Sequence, residues 1–562
     1  MQYASHGRYL AFPVADGAPL TRMRLAAADM VWLFDVQMVP PEKAGYWVYF
    51  DALYCTGQPV SLHSEAGVPE QQWREWVAFE DTFPGREGLF SEPHRPLYHF
   101  TSSRGWINDP NGLVKKDGRY HMFYQLNPFG CRGYDKGWGH CVSENLFDWK
   151  VLPPALSADE AGYAISGCTL FDTQGRAGFG RGAWVMAYSS RMHERPQLGQ
   201  RQNIAYSTDG QRFHKYAGNP VLCDDTILDF RDPKVFWCEA KQYFVMLVAA
   251  GPQLRFYASE DLKHWRLLST VEDDAFHPEG WIYECPDLLE YPLPQGGSIW
   301  ALSFSWIEDR SVRFLFGQFD GTAFRAAPGI PLQRADWGRD FYAAVAWDPY
   351  GEMNGRKLWI AWMCYWPYSA MCPQDEGWLN MFTVPRELEL SQKADGTPFL
   401  CQRPADELQQ LVCRREAVPD AALQPSGQEL LCFPEAYCLS GTLARPRAGG
   451  TAEFCFCFDS GERVMLAIQG GTLLADRSQC NCCGIGQGYE QVQAMPLNGG
   501  DVPFLILGDR NCMELYFDGG EHCMSLLCHA RSHTGRLHVR GGEGQQLKDV
   551  CLSALRKAQM SV

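Results

Sequence analysis

The sequence predicts an all-β protein: a five-bladed β-propeller with a small β-rich region before it and a β-sandwich after it. Three observations lead there. Five strongly apolar stretches recur at intervals of roughly 55 to 65 residues, at 120–125, 183–188, 243–248, 299–304 and 358–363. A turn-plus-aromatic signature follows the first four of them: Ser143-Glu-Asn-Leu-Phe-Asp-Trp149, Ser207-Thr-Asp-Gly-Gln-Arg-Phe213, Ser259-Glu-Asp-Leu-Lys-His-Trp265 and the weaker Phe319-Asp-Gly-Thr-Ala-Phe324. The chain's 54 Gly and 35 Pro are spread evenly rather than clustered, as many short strands joined by turns require. A long β repeat of this kind indicates a propeller, whose innermost strands line a central channel. A sandwich of consecutive hairpins would need no regular spacing over five units.

In chain order, residues 1–92 read as an N-terminal β-rich accessory domain. Its strands are expected at 8–14, 30–38 and 46–54, where β-branched and aromatic residues concentrate. Residues 70–76 and 83–96 look like a connector. The repeat places the propeller at 93–400. Residues 401–416 look like a helical linker, through Pro404-Ala-Asp-Glu-Leu-Gln-Gln-Leu411. From 417 to 562 strands with Gly turns return, including 504–507 and 513–517, consistent with a terminal β-sandwich.

Composition narrows the function. At 562 residues the chain is too long for one ordinary core, so two or three domains are expected. The formal net charge of −16 argues against nucleic acid or an anionic membrane as partner and fits a small-molecule or oligosaccharide ligand. The first ten residues lack the basic and apolar regions of a secretory signal. No apolar run approaches the roughly 20 residues that span a bilayer. The 22 cysteines show no framework spacing, so reduced thiols and a cytoplasmic location are expected. Cys480-Asn-Cys-Cys483 contains a C-x-x-C spacing with no second pair, and free thiols are expected there rather than zinc or redox chemistry. A homo-oligomer is left open.

Three acidic motifs stand at the openings of repeats: Asn108-Asp-Pro-Asn-Gly112, Phe230-Arg-Asp-Pro-Lys234 and Tyr283-Glu-Cys-Pro-Asp287. Asn-Asp-Pro-Asn-Gly consists of turn-forming residue types, so Asp109 is expected at a rigid strand end running into a tight turn. In a propeller, matching positions of the first, third and fourth blades meet at one mouth of the channel, which would bring Asp109, Asp232 and Glu284 together. Hydrolysis of a glycosidic bond needs two carboxyl groups across the anomeric carbon, one protonated and one ionised.

At these motifs the chain resembles glycoside hydrolase family 32, the family of invertases, fructan hydrolases and levanases. The resemblance covers about residues 95–535. It runs through Tyr120-His-Met-Phe-Tyr-Gln-Leu-Asn-Pro128, Trp138-Gly-His140, Asp340-Phe-Tyr-Ala343, Trp362-Met-Cys-Tyr-Trp366, Pro385-Arg-Glu-Leu388, Asp476-Arg-Ser478 and the segment 506–516. It implies a β-fructofuranosidase acting without metal or cofactor by a retaining mechanism. Asp109 would be the nucleophile and Glu284 the general acid and base. Asp232 would hold the fructose hydroxyls beside Arg231. Asn108, Gln125 and Asp340 would hydrogen-bond the sugar, Trp138 and Ser166 would belong to the same pocket, and Trp366 would supply an apolar wall. Cys285 would sit behind the acid and tune its proton affinity; a small buried hydrophobe is an equally good reading of it.

Two departures stand where the first sugar is held. The family's Trp-Gly pair falls here at Gly133-Tyr134, so Tyr134 is expected to stand in for the tryptophan or to leave a wider pocket. The family's Phe-Ser-Gly-Ser becomes Ile165-Ser-Gly-Cys168, which keeps Ser166 and loses the aromatic. Fructosyl transfer to another sugar and a catalytically inactive sugar-binding propeller are the competing readings.

Overall fold

The computed structural model describes every residue except 1, 4–6, 28–29, 56–57, 193–194, 196, 272–277, 372–375, 445–449 and 487. The described chain is all-β, with one four-residue α-helix, Glu70–Trp73, and short 3-10 turns. Residues up to 80 form two small sheets. One joins Gln2–Tyr3, Val60–Ala66, Thr21–Ala27 and Met30–Val36; the other joins Tyr46–Asp51, Tyr9–Val14 and Ala78–Glu80. Side chains of Thr21–Ala27 alternate between buried and half-buried, as period two demands when one face meets a core. That core, with Phe12, Trp32, Phe34 and Trp73, also takes in Phe129 from farther along the chain.

Five sheets follow, antiparallel except that two short strands remote in sequence join the first in parallel, Trp378–Leu379 beside Gly105–Lys116 and Met560–Ser561 beside Trp149–Leu156. The five sheets open with Gly105–Lys116, Tyr163–Asp172, Phe230–Cys238, Tyr283–Pro292 and Tyr342–Ala346. These opening strands pack against one another in succession, and the last packs back against the first. The recurrent apolar stretches are the second strands, Arg119–Asn127, Ala183–Arg191, Tyr243–Ala250, Ser298–Trp306 and Leu358–Trp362. They are covered on both faces, which explains their unbroken apolar runs. The turn signature also has a local cause. Ser143, Ser207 and Ser259 each accept, through Oγ, the backbone N–H two residues on, at Asn145, Asp209 and Asp261. Those Asx side chains then cap further N–H groups of the turn.

Residues 401–416 are no helical linker. Pro398–Pro404 is the last strand of the fifth sheet, Asp406–Leu411 a single 3-10 stretch, and Val412–Val418 already a strand. Leu408 and Leu411 are buried, so the apolar spacing read as helix records one turn pinned to the core. The remaining strands form a seven-stranded and a six-stranded sheet around one apolar core that includes Leu439, Phe456, Leu466, Ile506, Leu515 and Leu537. A buried ionic network ties them to the five sheets. His99 sits between Asp509 (2.9 Å) and Glu514 (3.0 Å), while Arg386 bridges Glu514 (2.6 Å) and Asp336 (2.9 Å).

Among the described cysteines, Cys483 is disulfide-bonded and the others carry free thiols. The expectation of free thiols throughout the C-x-x-C motif is corrected at that residue; spacing within the motif does not decide which thiols are oxidised. No described helix is long and apolar enough to cross a membrane.

Candidate active site

Each opening strand breaks register with its neighbour at a corresponding place: between Ile107 and Pro110, Ala164 and Gly167, Arg231 and Lys234, Glu284 and Asp287, and Tyr342 and Val345; the first strand breaks a second time, between Asn111 and Val114. A bulge leaves residues unpaired and re-aims their side chains. Proline has no N–H to leave unsatisfied, which suits Pro110, Pro233 and Pro286 to these breaks. Asp232, Cys285 and Ala343 lie within them at φ of 62°, 47° and 53°, a left-handed region that collects at functional sites when side chains other than glycine adopt it.

The expected turn at Asn-Asp-Pro-Asn-Gly is therefore a bulge inside the twelve-residue strand Gly105–Lys116. Bulges and turns draw on the same residue types. Nor do the three acids occupy one repeat position. Arg231, Glu284 and Tyr342 are the equivalent residues, each the last paired before its break. Asp232 comes one residue later in its repeat, and Asp109 two residues after Ile107.

The breaks converge on a cavity of about 410 Å³. Asp109 lies on its wall, and its carboxylate accepts from Asn108 Nδ2 (2.9 Å), Gln125 Nε2 (2.8 Å) and Ser166 Oγ (2.5 Å). Asn108 is itself fixed, its Oδ1 accepting from Trp106 Nε1 (3.0 Å) and Lys136 Nζ (3.2 Å). Glu284 pairs with Arg231 Nε at 3.2 Å and accepts a short hydrogen bond from Tyr342 OH. Asp232 Oδ2 accepts from the Cys285 backbone N–H (2.9 Å) and thiol (3.6 Å). Cys285 lies beneath the acids, its sulfur also 3.9 Å from Asp109 Oδ2. Trp366 closes one side and stacks near Trp106, with ring centroids 6.2 Å apart. Tyr134 stands at the rim, half exposed.

Two expected residues lie elsewhere. Trp138 is fully buried behind the wall, donating from Nε1 to the Ile165 carbonyl (3.0 Å). Asp340 is buried between the fifth sheet and the C-terminal sheets, where it pairs with Arg477 and accepts from Tyr368 and from the Leu527 N–H (2.8 Å). It stands two residues before the strand Tyr342–Ala346, its carboxylate turned to the C-terminal sheets.

Lys136, Tyr163, Arg191 and Gln200 line the cavity without having been read from the sequence. Gln200 Oε1 accepts from Arg231 Nη1 (3.0 Å). Tyr342 also belongs to the site beyond the residues expected from the sequence; its place in the repeat, matching Glu284, is the signal the sequence carries for it.

Burial pushes the Asp232 carboxyl up to about 7; Arg231 opposes this, and the charges of Glu284 and Asp109 add to it. Burial works against the Arg231 guanidinium as well, but Glu284 and Asp232 override it and hold the charge. Burial, then the Asp232 and Asp109 charges, keep Cys285 a thiol. Burial and the Glu284 carboxylate keep the Tyr342 phenol protonated, and so a donor. Burial lowers Lys136, with Asp109 and Glu284 opposing.

Residues 99–404 match the glycosyl hydrolases family 32 N-terminal domain. The chain belongs to glycoside hydrolase family 32. Among its relatives, a levanase of Bacillus subtilis is 33% identical over 495 residues, covering 83% of this chain and 71% of the relative. A levanbiose-producing levanase of the same organism is 30% identical over 477 residues, covering 80% and 89%. The crystal structure of an exo-inulinase from Aspergillus awamori superposes with a TM-score of 0.74 at 25% identity, covering 84% of this chain and 99% of that one. As a family 32 protein the chain is a glycosidase. Among its described residues no group of three His, Cys, Asp or Glu side chains is placed to hold a metal ion.

Proposed function

We propose that this family 32 glycosidase releases fructose from β-fructofuranosides, sucrose and fructans among them, by double displacement with retention. The observation that carries the reading is the shared cavity of Asp109, Asp232 and Glu284, each with its own set of donors. Asp109 is the nucleophile: three neutral donors aim its carboxylate without pairing it to a cation, and it forms a fructosyl ester with the anomeric carbon. Glu284 first protonates the leaving oxygen and then, as base, activates water. Asp232 holds fructose hydroxyls, and in its ionised form, above about pH 7, it also adds negative potential where oxocarbenium character develops. Arg231 links Glu284 to Asp232 and keeps both in place.

The fold reading that accompanies it is a five-bladed propeller over residues 93–400, an accessory domain at 1–92 and a β-sandwich at 417–562. Its support is the closed succession of opening strands and the common core of the last two sheets. A cytoplasmic location, with short imported fructosides as substrates, draws support from the free thiols; Cys483 counts against it.

Product analysis tests the function. Wild type and Asp109→Ala would be incubated with sucrose, kestose, inulin and levan and the products resolved by chromatography. Free fructose from wild type alone is expected. Larger fructosides in place of fructose would move the assignment to transfer, and no turnover of any substrate would refute it.

A further inference from the structure

The segment 129–136 forms the wall of the sugar pocket at which the chain departs from its family, and it is held from outside the five sheets. Phe129 is inserted whole into the core of the N-terminal sheets, stacked on Phe34 (centroids 3.6 Å apart) and edge-on to Trp32 and Phe12. Asp135, 2% exposed and at a left-handed φ of 52°, is gripped by three groups from those sheets. Arg22 Nη1 reaches its Oδ1 (2.9 Å), the Asp35 N–H its Oδ2 (2.8 Å) and Trp32 Nε1 its carbonyl (3.3 Å).

The residue after this clamp is Lys136. Its ammonium lies in the cavity, 3.2 Å from Asn108 Oδ1 and 5.6 Å from the Trp366 ring centroid. Among the described residues no carboxylate stands within ion-pair reach of it, and Asn108 takes one of its three N–H donors. On the same wall, a side chain at Gly133 would meet the Trp106 ring at 3.2 Å, so no aromatic face fits there without movement. The pocket thus lacks an aromatic wall at Gly133 and has an ammonium with unspent donors close by.

We propose that the N-terminal sheets are a working part of the sugar pocket: by clamping Asp135 they deliver Lys136 as a substrate-holding side chain that donates to a hydroxyl oxygen of the bound fructosyl unit. Lys136 acts on substrate directly, and Arg22, Trp32 and Asp135 are positioning residues that act through it. This rests on the fructosidase reading.

The test is a kinetic double-mutant cycle on sucrose and kestose. Lys136→Met keeps length and loses the ammonium; kcat/KM is expected to fall roughly 10- to 100-fold, chiefly through KM, with partial recovery in Lys136→Arg. Asp135→Asn and Arg22→Met are each expected to cost several-fold with Lys136 present and less than about twofold in the Lys136→Met background, because their route to substrate is gone. Trp32→Phe, which loses the bond to the Asp135 carbonyl together with part of a buried ring, serves as a second probe if either clamp variant fails to fold, its loss again expected to shrink below about twofold in the Lys136→Met background. Additive losses in the cycle, or a Lys136→Met enzyme within twofold of wild type, would overturn the proposal while leaving the fructosidase reading intact. A wild type inactive on every fructoside would bring down both.

Discussion

Tyr342→Phe removes one oxygen and isolates one step. The phenol is buried and donates to Glu284 Oε2, and phenylalanine fills the same space, so packing is preserved. In forming the fructosyl ester, Glu284 gives its proton to the leaving oxygen and becomes a carboxylate. In wild type that carboxylate meets both Arg231 and the phenol. A hydrogen bond to a charged group is worth about 1.5–3 kcal/mol, and at 1.36 kcal/mol per tenfold this puts the loss in kcat/KM on sucrose at roughly 10- to 150-fold. A nitrophenyl fructoside, whose leaving group needs little protonation, should lose no more than about threefold. Steady-state kinetics on the two substrates reads the difference. Equal losses on both, or no loss on sucrose, would show that the phenol does not serve the acid and would refute the reasoning.

The other predictions concern charge and stability. Asp232 is pushed from 3.8 up to about 7 in the fold, so between those values the native state binds more protons than the unfolded chain and stability falls as pH rises. Asp232→Asn should therefore melt above wild type at pH 8, with the gap shrinking by pH 5, while fructose release is lost; a gap that widens on acidification would contradict this. His99→Ala leaves Asp509 and Glu514 without their shared cation in a fully buried site, and urea titration should report a loss of roughly 3–5 kcal/mol. Asp340→Asn should lower the melting temperature and leave KM for sucrose within about twofold, since its carboxylate faces Arg477 and Tyr368 rather than the cavity; a large KM change in folded protein would return Asp340 to the sugar.

The second strands of the sheets were legible because burial on both faces writes itself as an unbroken apolar run, and the Ser-x-Asx turns because their hydrogen bonds span two residues. Asp109, Asp232 and Glu284 were found by their place in a repeat together with a family resemblance. The bulge was not legible at Asn-Asp-Pro-Asn-Gly, since a residue that suits a turn also suits an unpaired strand position. Asp340 misled because a motif marks that a residue matters without saying to what, and here the partner is Arg477, far along the chain. Lys136 could not be read at all. Its position depends on Asp135, and the groups that grip Asp135 lie about a hundred residues earlier.

The recurring bulge also explains how the opening strands supply a site. In a regular strand neighbouring side chains point to opposite faces, so two consecutive residues cannot line one cavity. Here Asn108 and Asp109, Ile165 and Ser166, and Arg231 and Asp232 all line it in adjacent pairs. The break in register turns the second member of each pair inward, and it does so at corresponding places in successive sheets. Side chains remote in sequence can then bond in a row, from Tyr342 through Glu284 to Arg231 and Asp232. The strain at Asp232 and Cys285, and the proton affinity forced on Asp232 by its neighbours, follow from that same geometry. A site made this way concentrates carboxylates that a regular sheet would keep apart, and the buried pairs of His99 and Arg386 with the C-terminal sheets stabilise the fold that holds them together.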